Sequence, residues 1–247
     1  MLSERVVFKM IKTFIISELK KWTREPLTRF ILFYPLLFGF IGRFILPYIE
    51  ERTGFVIEMY ADVIIAVFAL MMPMIFGALI GFSILDDRDD NVLMTIRVTP
   101  LGLQKFFSFR LIMIFIFAVI ASIFVILFAD VGDLALGRVI AISIVSALSA
   151  PLTGLFINSF ASNKIEGFAI MKGFGVLIFI PLVSLFVFDF KELFFAFAPG
   201  FFPAKAVSAL VRGDQFMYLS YNTYYLLGWV YGIVANILAY RYFAKKL

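Results

Sequence analysis

The chain reads as an all-α integral membrane protein with six transmembrane helices, and three observations carry that reading. Of its 247 residues 63% are hydrophobic and only 16% charged, with a mean hydropathy of +1.01. A soluble chain of this length has too little interior to hide so much apolar surface. Six stretches are apolar over the roughly 20 residues that a helix needs to cross a bilayer. Finally, 16 of the 22 Lys and Arg fall in four segments that an alternating six-span topology puts on one side. Such clustering marks cytoplasmic segments, so both termini are expected in the cytoplasm.

The elements follow in order. In residues 1–26, Phe8, Ile11, Ile15, Leu19 and Trp22 recur at helical spacing and form one stripe. Lys9, Lys12, Lys20, Lys21 and Arg24 take other faces. This predicts an amphipathic helix lying in the cytoplasmic interface of the lipid bilayer. Its basic residues are interleaved with apolar ones, which does not read as a cleavable signal. Glu25-Pro26 ends it, because proline disfavours helical geometry in the residue before it.

Residues 27–247 are expected to form one six-helix domain with spans near 30–49, 63–85, 111–129, 139–160, 168–188 and 222–240. The first contains Pro35 and, near its far end, Arg43, read as snorkelling to the outer headgroups. A short turn holding Lys164 and Glu166 joins spans four and five. Gly77-xxx-Gly81 and Gly228-xxx-Gly232 permit close helix approach and are expected to pack within the chain. Before the sixth span, a segment with Pro199, Gly200 and Pro203 leads into a helical piece ending at Arg212 and a Gly213-Asp214 stop. It is too apolar for a free loop and too broken for a span, so an outer re-entrant or interfacial helix pair is expected.

The interruption 86–110 is the most ordered polar segment. Four acids open it, an apolar helix-like stretch from Val92 to Val98 follows, Thr99-Pro100 breaks it, and Lys105 and Arg110 lead back into the third span.

Several chemistries are excluded by residue type. With no His and no Cys there is no His-dependent zinc site, disulfide, thiol nucleophile or Ser-His triad. No metal or catalytic constellation is expected. No Gly-x-x-x-x-Gly-Lys-[Ser/Thr] loop is present to bind nucleotide. The centres of the spans carry no Asp, Glu or Lys, which argues against a proton- or ion-coupled transporter. The positive charge is a topology signal rather than a nucleic-acid patch. A self-contained, ATP-independent channel or facilitator remains the alternative, and otherwise the energy for transport must come from another polypeptide.

These residues resemble the membrane subunits of ABC type-2 exporters over nearly the whole chain. The likeness rests on the amphipathic helix, Pro35, the broken segment before the sixth span, and above all Asp86 to Arg110 with Thr99-Pro100-Leu101. The family has glycine where this chain has Asn91, and asparagine also accepts left-handed geometry. The resemblance implies a cytoplasmic coupling helix between spans two and three, and two such subunits, identical or paralogous, above two cytoplasmic ABC ATPase subunits. ATP and Mg would be bound by those partners and no cofactor by this chain.

Leu93, Ile96 and Val98 would supply apolar contact to the ATPase. Asp86, Asp87, Arg88 and Asp90 would hold the segment against the second span or against the ATPase. Asn91, Arg97, Thr99 and Pro100 complete the implied coupling set. The compact length resembles the drug-export branch, fluoroquinolone exporters included. A multi-pass protein of a prokaryotic plasma membrane is implied, exporting an amphipathic or hydrophobic drug, lipid or peptide.

Overall fold

In a computed structural model, which describes the backbone of residues 4–98 and 102–246, six helical runs are long and apolar enough to cross a membrane. They are Thr28–Thr53, Ile57–Asp89, Gly102–Ala129, Leu136–Phe160, Lys164–Ser184 and Tyr221–Ala244. Each overlaps one of the stretches expected from the sequence, and the described residues contain no strand.

The chain divides into two units, Met1–Tyr34 and Pro35–Leu247. The first contains α1 (Glu4–Arg24) and α2 (Pro26–Leu32). The break falls where the sequence puts it: Glu25 is extended at ψ 124 and Pro26 opens α2. The side chain of Glu25 accepts a hydrogen bond from Thr28 Oγ1 at 2.8 Å. Ile15, Leu19 and Lys21 are half-buried and Glu18 and Trp22 are buried, while Lys20, Thr23 and Arg24 are exposed. The side chains of Phe8 and Ile11 lie outside the described residues.

In the second unit the remaining elements are α3 (Tyr34–Phe40, shared with the first unit), α4 (Leu46–Thr53), α5 (Ala61–Asp89), α6 (Val92–Arg97), α7 (Gly102–Ala129), α8 (Leu136–Ala147), α9 (Ser149–Phe160), α10 (Lys164–Ser184), α11 (Phe201–Arg212) and α12 (Tyr221–Ala244). A π-helical turn, Ile41–Ile45, joins α3 to α4. Helix α5 is the hub, packing on α7, α9, α10 and α11. Its closest partner is α9, and small residues set the distance. A Cβ on Gly77 would lie 2.4 Å from the carbonyl of Ala150, and one on Gly154 would lie 2.6 Å from Ile80. Gly228 and Gly232 likewise abut Val145 and Leu148. Both glycine pairs therefore serve packing within the chain, as expected.

The structure refines three features. The fourth span is broken at Leu148 into α8 and α9. Pro151 has no N–H to give the carbonyl of Ala147, which removes one rung there. The side chain of Asn236 on α12 donates to the carbonyl of Leu148 at 2.8 Å and to that of Gly232 at 2.8 Å, holding the break. Arg43 is ion-paired with Asp130 rather than reaching only for headgroups. The polar interruption also shrinks, because Asp86 to Asp89 form the last turn of α5 and Lys105 to Arg110 belong to α7.

Candidate functional site

Two networks of charged residues in the second unit lie at opposite ends of the bundle. One end contains the last turn of α5, α6, the first turns of α7 and α10, and the last turns of α9 and α12. Here the acids of the 86–90 cluster have separate tasks. Asp87 is buried and ion-pairs with Arg110, whose side chain has 0% exposure. Arg110 also donates to Ser83 Oγ at 2.8 Å and stacks over the ring of Phe106 at 4.9 Å. Asp86 meets Lys164 at the start of α10 at 2.8 Å. Arg88 donates to the carbonyls of Ala161 (3.1 Å) and Asn158 (3.4 Å). Lys246 donates to the carbonyl of Ser159 at 2.5 Å. The last carbonyls of α9 thus face two cations, the favourable sign for a helix C-terminus.

Beneath this collar Ala78, Phe82, Leu85, Ile157 and Ala161 form a buried cluster on which Ile170 and Met171 pack. On α10, Asn163 caps the helix by accepting from Glu166 N at 3.0 Å, and Glu166 accepts from Ser162 N at 2.7 Å. This is a variant of the capping box, in which the carboxylate of Glu166 reaches the N–H of the residue before the cap rather than that of the cap itself. Five helices are therefore tied together at this end by side chains from four short stretches of sequence.

Helix α6 projects from the collar. Asn91 turns the chain into it with φ 58, the left-handed geometry that asparagine tolerates. Leu93 and Ile96 are half-buried, because α6 leans on α5 and α7. The apolar side chains offered to the surroundings are Met94 (71% exposed) and Val98 (85%), with Val92 beside them. Asp89, Asp90, Asn91 and Arg97 are exposed around this tip. Thr99 and Pro100 lie outside the described residues.

The sequence singles out Asp86, Asp87 and Arg88, which the structure brings together at this end, but not their partners Arg110 and Lys164, nor Lys246 and the exposed Met94. Arg110 was legible as the last charge before a long apolar run. Met94 was not legible, because a helix of six residues offers too little periodicity to fix its covered face.

The opposite end is held by a second network. Asp62, buried at the start of α5, accepts from Ser208 Oγ (2.7 Å) and from Arg212 at Nε (2.7 Å) and Nη2 (3.0 Å). Lys205 and Glu192 pair at 2.6 Å with both side chains at 0% exposure, and Tyr224 donates to Glu192. Burial pulls the Lys205 ammonium below the ordinary lysine range, and its hydrogen bond to Glu192 opposes that.

These contacts fix α11, which is buried from Phe201 to Ala209 and packs on α5, α8, α10 and α12. At 12 residues it is about 18 Å long, too short to span a bilayer. Of the three residues singled out in the sequence, Gly200 (φ 90) starts this helix against Leu70, and Pro199 and Pro203 line a small pocket beside it. Among the described residues no group of His, Cys, Asp or Glu is placed to hold a metal ion.

A family model described as fluoroquinolones export permease protein Rv2686c-like matches residues 18–240. Fluoroquinolones export permease protein Rv2686c of Mycobacterium tuberculosis (strain ATCC 25618 / H37Rv) is 30% identical over 200 residues, covering 77% of this chain and 78% of the relative. Fluoroquinolones export permease protein MT2760 of Mycobacterium tuberculosis (strain CDC 1551 / Oshkosh) gives the same identity and coverage. No solved structure gives a significant match.

Proposed function

We propose a specific task for this chain from the premise that it belongs to the Rv2686c-like family of export permeases: it is the membrane subunit of an ATP-driven ABC type-2 exporter. Family membership makes it a multi-pass membrane transport protein rather than an enzyme. ATP and Mg are then bound by separate ATPase subunits, for which this sequence supplies no phosphate loop. The cell membrane is the expected location, and the mycobacterial relatives support a prokaryotic one.

The observation that carries the reading is α6. Its exposed Val92, Met94 and Val98 form a short apolar tip, and its root, the last turn of α5, is tied by charged side chains to three neighbouring helices, α7, α9 and α10. The count of basic residues supports a cytoplasmic position for this end, with both termini on the same side. An ATPase that closes on ATP would push α6. The Asp87–Arg110 pair would pass the push to α5 and α7 together, and Arg88 and Lys164 would pass it to α9 and α10. This is rigid-body transmission through an interface with few soft joints. Helix α11 at the far end is then the outer re-entrant element, latched to α5 by Asp62 and Arg212.

The relatives are named for fluoroquinolones, which supports flat aromatic amphiphiles as cargo. The 33 Phe and 10 Met suit such a path. A second permease copy, identical or paralogous, completes the path. The exposed apolar faces of α10 and α12, including Val176, Phe179, Leu226 and Val230, support a partner helix or lipid there.

The test is co-purification with the ABC ATPase encoded beside this chain, followed by drug-stimulated ATP hydrolysis in proteoliposomes. Association with stimulation supports the reading. Drug efflux from vesicles containing this chain alone and no ATP would instead establish the ATP-independent facilitator.

A further inference from the structure

The break in the fourth span borders a small, mostly apolar pocket whose lining includes Ser146, Ser149 and Tyr231. Three serine and threonine hydroxyls in helical segments follow the ordinary course and bond back to a carbonyl one turn earlier. These are Ser149 to Ser146 (2.6 Å), Thr153 to Ser149 (2.8 Å) and Ser184 to Pro181 (2.6 Å). Ser146 does not. Its side chain is 1% exposed and its Oγ has no hydrogen-bond partner. Ser122 and Ser143 share that lack, but Ser146 in addition borders a pocket at the joint of α8, α9, α11 and α12.

The pocket leaves about 20 Å³ for the centre of a water-sized sphere. About 10–15 Å³ by that measure suffices for one water, which also needs two to four polar partners. Besides Ser146, the lining includes Ser149 and Tyr231, whose hydroxyls each donate elsewhere and retain acceptor capacity. The carbonyl of Val145 accepts a long bond, 3.4 Å, from Leu148 N. No lining residue is charged, so nothing there offsets the dehydration of a cation, and a neutral ligand is required.

We propose that this pocket binds one water molecule, hydrogen-bonded to Ser146 Oγ and shared with Ser149, Tyr231 and the Val145 carbonyl. The water makes the break at Leu148 a wet joint. It supplies exchangeable hydrogen bonds where the backbone ladder is stretched, so α8 and α9 can change their mutual angle without stranding a polar group in the bilayer. The inference rests on geometry alone and is independent of the export reading.

The direct test is water-edited solid-state NMR on the isotopically labelled full chain in phospholipid bilayers. The expected result is early water-to-protein transfer at Ser146 and Gly232, well ahead of Thr153, whose hydroxyl is already satisfied. Ser146→Val should fill the pocket and abolish the early transfer at Gly232, leaving Thr153 unchanged. Transfer at wild-type Ser146 as slow as at Thr153 would overturn the proposal, as would persistence of early transfer at Gly232 in the valine variant. The wild-type comparison stands even where that variant folds poorly.

Discussion

Asp87→Asn offers the sharpest test of how the charged collar is built. In the wild type, Arg110 has 0% exposure and its counter-charge is Asp87. The substitution keeps the shape but removes the charge, leaving a guanidinium buried without it. Removing one partner of a buried ion pair costs about 3–5 kcal/mol. Here Ser83 at 2.8 Å and the ring of Phe106 at 4.9 Å still engage Arg110, which places the expected loss near the lower bound, about 3 kcal/mol.

A protein of this size shifts its unfolding temperature by about 2–4 °C per kcal/mol, so a fall of about 6–12 °C is expected. The assay is thermal unfolding in mild detergent, followed by tryptophan fluorescence. Because the pair is buried, the loss should persist at high salt, where exposed pairs are screened. The double variant Asp87→Leu/Arg110→Met removes both charges and should unfold close to the wild-type temperature. An Asp87→Asn protein that unfolds with the wild type would refute the buried-pair reasoning. A loss that vanishes in high salt would do the same.

Three further outcomes are expected. Lys164→Ala breaks a partly exposed pair with Asp86 and should cost less than about 1 kcal/mol, read in the same melt. Gly77→Ala puts a methyl 2.4 Å from the carbonyl of Ala150 and should destabilise by about 1–3 kcal/mol, whereas Gly173→Ala meets nothing within 4 Å and should be neutral or slightly stabilising. Lys205 has a folded-state pKa below its ordinary 10.5, so the folded state binds fewer protons than the unfolded one between those values. Stability should therefore rise with pH across that window, and Lys205→Met should remove that increment from the pH–stability curve.

Much of the fold was legible because the bilayer imposes simple demands. Length and apolarity mark the six spans, Glu25-Pro26 marks the first break, and the Gly213 stop after Arg212 marks the end of α11. What stayed hidden depends on partners distant in sequence. Pro151 is visible at once, but the capping of Leu148 by Asn236 joins residues 88 positions apart. The acids at 86–90 announced a polar cluster, but their contacts depend on Arg110, Ala161 and Lys164, supplied by other parts of the chain. The same holds for α6. Its sequence offers five apolar residues from Val92 to Val98, and only packing against α5 and α7 decides that Met94 and Val98, not Leu93 and Ile96, are the most exposed.

That exposed tip is where the proposed coupling is most directly tested. The double variant Met94→Asp/Val98→Asp, co-expressed with the neighbouring ABC ATPase, should melt like the wild type, because both side chains are largely exposed. The measurement is the amount of ATPase retained on the purified permease. Loss of the ATPase at unchanged melting temperature is the result expected if α6 is the docking element. Full retention, with undiminished drug-stimulated hydrolysis, would contradict it.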